Sequence, residues 1–243
     1  MKSKSEAVEY FSFVSKLMDR YPPPVIRLPD GESCDMNGVF FYRKHAYVSN
    51  NVFIGRVRVE DDFPLNESIA FYSFSDDLHY FDPDVLKKAK GAKHGPLSAK
   101  DFSYLDTICN GWRENQFFVK RSFLLECMQD ISLKTMPTCL ATFEMTDDSV
   151  IFSINDRRGK LNLNYVLPKH LYPGARNVET VAGDTVSINL FYLFEIVVSA
   201  FSHCDIIGFK FDSLSGLPVV LFNNGHSHPN ISWAIAQTTK SGR

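Results

Sequence analysis

No run of apolar residues in this sequence reaches the roughly 18 that a membrane helix needs. The longest apolar stretch, Leu190 to Phe201, is broken by Glu195 and Ser199. The opening MKSKSEAVEYF has no apolar core of signal-peptide length, so the expectation is a cytoplasmic protein with no membrane partner. Charge of one sign is not in excess either: 26 Lys and Arg stand against 28 Asp and Glu, a net charge of −2. That balance argues against a generally basic nucleic-acid coat or a polybasic membrane binder, while leaving a local basic patch open. Cysteines at chelating spacing are missing. Cys34, Cys109, Cys127, Cys139 and Cys204 are odd in number, scattered, and form no CxxC pair. They read as reduced thiols and argue against a zinc site.

Catalytic signatures are missing too. Gly91-Ala92-Lys93-His94-Gly95 lacks the spacing of a phosphate-binding loop, and there is no GxSxG, no HExxH and no His and Cys cluster near a strand end. His226 and His228 lie in Asn223-Asn224-Gly225-His226-Ser227-His228-Pro229, which reads first as a hairpin loop, with metal binding as the weaker reading. The acidic pairs Asp61-Asp62, Asp76-Asp77 and Asp147-Asp148 sit at turn-like positions. Asp147-Asp148 joins two strands and reads as a hairpin turn; Asp76 and Asp77 stay open for Mg²⁺ or acid–base work. The expectation is a non-enzymatic protein with no cofactor and no metal.

What is present is an ordinary globular composition: 243 residues, 44% hydrophobic, 14% aromatic and 22% charged, enough for one large domain or two of common size. From Ser5 to Arg20, Ala7, Val8, Phe11, Val14 and Met18 recur at helical spacing, Ser5 can cap and Pro22-Pro23-Pro24 stops the segment. One amphipathic helix is expected, with Glu9, Ser12, Lys16, Asp19 and Arg20 outward. Short β-rich runs follow at Gly38 to Arg43, Ala46 to Phe53, Gly55 to Val59 and Ser68 to Phe74. Between residues 75 and 116 two helices are expected, Val85 to Lys90 and Ser98 to Asn110.

The second half reads as one unit built twice. Strand Gln116 to Lys120, helix Ser122 to Leu133 and strands Cys139 to Met145, Val150 to Asn155 and Lys160 to Leu167 make the first copy. Strand Thr185 to Asn189, helix Leu190 to Ser202 and strands Ile206 to Asp212, Pro218 to Phe222 and Ile231 to Ala236 make the second. A repeated β-α-β-β-β unit implies a pseudo-symmetric α+β domain, its two helices on one side of antiparallel sheets.

In this order of elements the chain resembles the DNA sliding clamps, above all the C-terminal domain of the bacterial polymerase III β subunit. The segment Val186 to Ile196 is similar to the clamp strand ending at Asn and followed by a Tyr-Leu helix. Ile207 to Leu221 is similar to the clamp strand, Asp212-Ser213-Leu214-Ser215 turn and returning strand. Phe123-Leu124-Leu125 with Val150 to Asn155 resembles the preceding half-domain, and Ile231 to Ala236 the final strand. The resemblance covers about residues 116 to 237. It implies a clamp domain at 116–243 and a diverged clamp-like domain at 1–115. Because clamps close a ring of six such domains, it also implies a homotrimer of viral or otherwise diverged type.

The resemblance further implies a processivity factor that encircles duplex DNA without reading its sequence, with a replicative polymerase and a clamp-loader ATPase as partners. A sliding ring needs cations on the helices that face the hole, in exchangeable contact with phosphates. The candidates are Lys16 and Arg20, then Lys87, Lys88, Lys90 and Lys93, then Lys120, Arg121 and Lys134. The fourth helix carries no cation, and the third carries Glu126 and Asp130. Each basic residue taken singly also reads as an ordinary surface charge. Clamps bind partner peptides in a pocket that includes the last strand. By position its candidates are Trp233, Ile235 and Ala236, with Pro168, Leu217 and Pro218 as weaker ones. Trp233 and Ile235 read equally as core. A peptide-binding scaffold that uses the fold without encircling DNA is the other reading.

Overall fold

A computed structural model describes residues 4–18, 25–27, 33–35, 37–50, 52–59, 69–74, 78–81, 99–156, 158–168, 181–223 and 231–238. The chain divides into two compact units, Met1–Asn110 with Asn230–Ser232, and Gly111–Pro229 with Trp233–Arg243.

In the first unit, helices α1 (Lys4–Phe11) and α2 (Val14–Met18) replace the single helix expected from periodicity. The break falls where Ser12 N and Ser15 N bond carbonyls three residues back and the Ser15 hydroxyl donates to Ser12 O, 2.9 Å away. A serine that takes a local carbonyl competes with the helical ladder. Ala7, Phe11, Val14 and Leu17 are buried. After the ribbon β1 (Val25–Arg27) and β2 (Ser33–Asp35) come β3 (Gly38–Tyr42), β4 (His45–Ser49), β5 (Phe53–Arg58), β6 (Ile69–Ser73) and β7 (Leu78–Phe81), in the order β7-β6-β3-β4-β5. Phe53 begins β5 rather than ending β4. The Asn50 carboxamide oxygen accepts from Val52 N and Phe53 N at 2.8 and 2.9 Å, so the chain turns there.

Helix α3 (Ala99–Asn110) sits on this sheet through Phe102. The Phe102 ring stacks on Tyr42 at 4.8 Å and meets Tyr47 at 5.1 Å and Phe40 at 6.2 Å. Register explains the set: Phe40 pairs with Tyr47 and Tyr42 with His45, so these side chains share the helix-facing side.

The second unit contains β8 (Asn115–Lys120), α4 (Arg121–Met128), β9 (Cys139–Met145), β10 (Ser149–Asp156) and β11 (Asn162–Pro168). It repeats the series as β12 (Thr185–Asn189), α5 (Leu190–Glu195), β13 (Ile206–Phe211), β14 (Val219–Asn223) and β15 (Ile231–Ile235), with Trp233 to Ile235 of β15 belonging to this unit. The copies exchange their first strands. β12 completes β11-β10-β9-β12, while β8 completes β15-β14-β13-β8. Lys120 pairs with Ile206 as Asn189 pairs with Leu140, and this correspondence makes Phe209 the counterpart of Phe143, and Asn115 that of Asp184.

Both counterpart pairs touch. The Phe143 and Phe209 rings lie 5.1 Å apart, Phe117 stacks on Phe209 at 5.0 Å, and Phe152 meets Phe143 at 4.9 Å. Such pairs each add about 0.5–1.5 kcal/mol beyond their burial. Buried Asn115 donates to the Asp184 carboxylate at 2.6 Å and accepts from Val181 N at 2.7 Å. Asp147 and Asp148 form the β9–β10 turn as expected, closed by Thr146 N donating to Ser149 O at 3.0 Å.

Candidate binding surfaces

Helix α4 begins directly from β8, and α5 directly from β12, where the Asn189 side chain caps the start by accepting from Phe191 N at 3.0 Å. Helix α4 ends at Met128, five residues before the expected Leu133. Ser132 O then accepts from Thr135 N and Met136 N and sets a separate turn. Beyond Glu195 the second helix widens over Ile196–Ala200, with Phe201 N bonding Ile196 O.

Arg121 answers that widening. Its Nε donates to Val197 O at 3.0 Å and its Nη2 to Val198 O at 3.2 Å. A cation at a helix C-terminus also meets the negative end of the dipole. Arg121 therefore ties the two helices together, which explains its half-buried position better than a phosphate contact does. Lys120 is exposed, its ammonium 5.7 Å from the Phe123 ring centroid, and Lys134 is exposed in the turn after α4. On α4, Glu126 is exposed, as is Asp130 just beyond its end. Lys16 lies in α2, with its side chain outside the described set; Arg20, Lys87, Lys88, Lys90 and Lys93 lie outside the described residues, as do the Val85 to Lys90 helix, Asp76, Asp77, His226 and His228.

The structure divides the expected peptide pocket. Trp233 and Ile235 are fully buried core residues, so they do not line a surface pocket. Leu217, Pro218 and Ala236 are half-exposed. The Gln237 carboxamide donates to Asp212 O at 2.9 Å and Leu217 O at 2.6 Å, drawing Leu217 beside the end of β15. Leu214 projects from the same turn, 90% exposed, on a backbone fixed by the Asp212 carboxylate accepting from Leu214 N and Ser215 N. Pro168 ends β11, away in sequence from this group, and its side chain is not described.

A cleft of ≈ 360 Å³ lies between α4 and β11, lined by Phe123, Glu126, Cys127 and Asn164 to Leu167. Burial, then the Glu126 charge, pushes the Cys127 thiol up to about 11, so it stays protonated at neutral pH. β11 is the edge of its sheet, and Val166 on it is 71% exposed. An edge strand carrying an exposed apolar side chain is a template for pairing with another chain. Among the described residues no cluster of metal-ligating side chains is present, and no helix is long and apolar enough to cross a membrane.

Sequence reasoning missed the charges of the first unit. Arg56 is almost wholly buried. Its Nη1 lies 2.9 Å from the Asp106 carboxylate on α3, and the same oxygen accepts from the Tyr47 hydroxyl at 2.9 Å. Burial and the Asp106 charge raise the Tyr47 phenol, while burial and then Arg56 lower His45 to about 4. Arg43, Lys44 and Arg58 stand at one end of β3, β4 and β5. The available signal was alternation: Arg56 and Arg58 occupy one face of a strand whose other positions are apolar.

Neither a protein-family model nor a curated protein matches the sequence. Solved structures do. The polymerase III β chain of Streptococcus pneumoniae matches over 91% of this chain at 13% identity and a TM-score of 0.52. The β sliding clamp of C. crescentus matches over 96% at 8% identity and a TM-score of 0.56. This chain spans 68% and 64% of the lengths of those two proteins. Its fold, α+β with antiparallel sheets, is that of the DNA sliding clamps.

Proposed function

We propose that this protein is a sliding clamp, a non-enzymatic ring that encircles duplex DNA and tethers a replicative polymerase to it. The observation that carries the reading is the duplicated second unit with exchanged first strands, in a chain whose fold is the clamp fold. Two units per chain and six clamp domains per ring make the assembly a homotrimer, opened and closed on DNA by a loader ATPase. The edge of β11, with Val166 exposed beside the α4 cleft, is the surface on which neighbouring subunits pair. Leu217, Pro218 and Ala236 offer the place where partner peptides dock.

A ring holds DNA by topology, so the test is retention without ends. The protein is loaded on nicked circular DNA, washed at high salt, then released by linearising the circle. Retention that ends on linearisation, with a solution mass near three times 27.7 kDa, is the expected result. A monomer that leaves circular and linear DNA alike would refute it.

One observation favours a scaffold that does not encircle DNA. Helix α5 carries no cation, and exposed Glu126 and Asp130 stand on and just after α4. On that reading peptide binding at Leu217 and Ala236 survives while circular DNA is never retained.

A further inference from the structure

Among the arginines of the first unit whose side chains are described, one is neutralised by a carboxylate and two are not. Arg56 is matched by Asp106. Neither Arg43 nor Arg58 has an ion pair among the described residues. Three observations place these cations together. Tyr42 pairs with His45, so Arg43 and Lys44 alone form the turn between β3 and β4. His45 pairs in turn with Arg58, and Val59 N donates to Lys44 O at 2.9 Å. Neighbouring strands lie about 4.8 Å apart, so the three cations share one end of three adjacent strands.

The turn is also built at a cost. Arg43 has φ 53°, the only positive value among the described residues other than glycine. Glycine, asparagine or aspartate fills such a position with less strain, and strained backbone clusters at functional positions. The Arg43 guanidinium lies 5.2 Å from the Tyr42 ring, which holds it while leaving its outer edge in solvent. His45 adds no charge at neutral pH.

We infer that Arg43 and Arg58, at this turn and on the strand beside it, form a binding site for the phosphodiester backbone of nucleic acid, recognised by charge and not by base sequence. The inference rests on the clamp reading and supplies it with phosphate contacts away from α4 and α5. A guanidinium pair spaced across neighbouring strands suits successive phosphates, each bound through its planar fork.

The test is the salt dependence of binding to a short linear duplex, from which a ring slides freely, so only site contacts register. Removing one phosphate-binding cation lowers the slope of log K against log salt by about 0.9, which is about 8-fold in affinity at 0.1 M salt. R43G and R58Q are each expected to weaken binding by that much, and the double variant about 60-fold. R43K keeps the charge and is expected to keep the slope. Glycine suits the left-handed turn, so weaker binding by R43G cannot come from misfolding. A double variant with the wild-type slope, or a wild-type protein that does not bind the duplex, would overturn the site. Retention on circular DNA is measured separately. A reduced slope without circular retention would sink the ring and leave the site standing.

Discussion

Asp106 is the most informative position to perturb. Its carboxylate is the shared acceptor for the Arg56 guanidinium and the Tyr47 hydroxyl, both at 2.9 Å. The two donors are buried, Arg56 with 4% side-chain exposure, while Asp106 keeps 35%. In D106A the guanidinium keeps its burial and loses its countercharge, which costs about 3–5 kcal/mol in a closed site. Water reaches this carboxylate, so the low end applies, with about 1 kcal/mol more for the stranded Tyr47 hydroxyl. A loss of about 3–4 kcal/mol is expected. D106N keeps an acceptor for both donors and is expected to lose about 1–2 kcal/mol. Replacing Arg56 as well, in R56M/D106A, removes the buried charge and is expected to recover about 2 kcal/mol relative to the sum of the single losses. Urea unfolding followed by circular dichroism gives the totals, and amide exchange over 99–110 shows whether α3 detaches. A D106A loss below about 0.5 kcal/mol, or additive single losses, would refute the claim that this pair pins α3 to the sheet.

The remaining expectations are narrower. His45 is lowered from its ordinary 6.5 to about 4, by burial first and then Arg56, with Arg58 acting the same way and Asp106 opposing. The unfolded chain therefore binds a proton that the folded imidazole refuses. Stability is complete above about pH 6.5, falls as pH drops toward 4, and levels off below that. The ceiling is about 3 kcal/mol, and partial solvation of the imidazole reduces it to about 1–2; H45Q should flatten the slope of Tm against pH in that window, and an unchanged slope would contradict the assignment. At Gly208 a Cβ would clash with the edge of the Phe222 ring, which stands 5.7 Å from Phe118 across the same strand. G208A should lose about 1–3 kcal/mol through overpacking, and G208A/F222L should recover part of it in urea unfolding. V166K places a charge on the β11 edge and should move the solution mass toward 27.7 kDa with the far-UV circular dichroism unchanged. A mass that stays put would remove β11 from the interface.

Where one physical signal dominated, sequence and structure agree. Cys139–Met145, Thr185–Asn189 and the Asp147-Asp148 turn lie where alternation and turn chemistry place them. Disagreement arises where side chains capture the backbone locally. Ser15 breaks the first helix, Asn50 turns the chain before Phe53, and Ser132 sets a turn after α4. The repeat was legible, but the exchange of first strands between its copies was not, because alternation fixes which face a residue occupies and not which strand lies beside it. Trp233 illustrates the same limit for the site: a tryptophan near a pocket reads alike whether it lines the pocket or belongs to the core, and only burial separates the two.

The placement of charge bears directly on which partner the fold serves. Arg121 looks like a phosphate ligand in sequence, directly after Lys120, yet its guanidinium is held by Val197 O and Val198 O. The helices of the second unit then present Glu126 and Glu195, with Asp130 just past the end of α4 and no cation on α5. A duplex near those helices is repelled unless cations elsewhere offset them, because each phosphate contact adds about 0.9 to the salt exponent and each nearby carboxylate opposes it. In the first unit, Arg43 and Arg58 are described cations with no ion pair among the described residues. An asymmetric distribution of this kind predicts that E126Q/D130N strengthens duplex binding while R43G/R58Q weakens it, both measured at about 0.1 M salt and below, since such contacts strengthen as salt falls. Equal indifference to both double variants would mean that this fold holds proteins and not DNA.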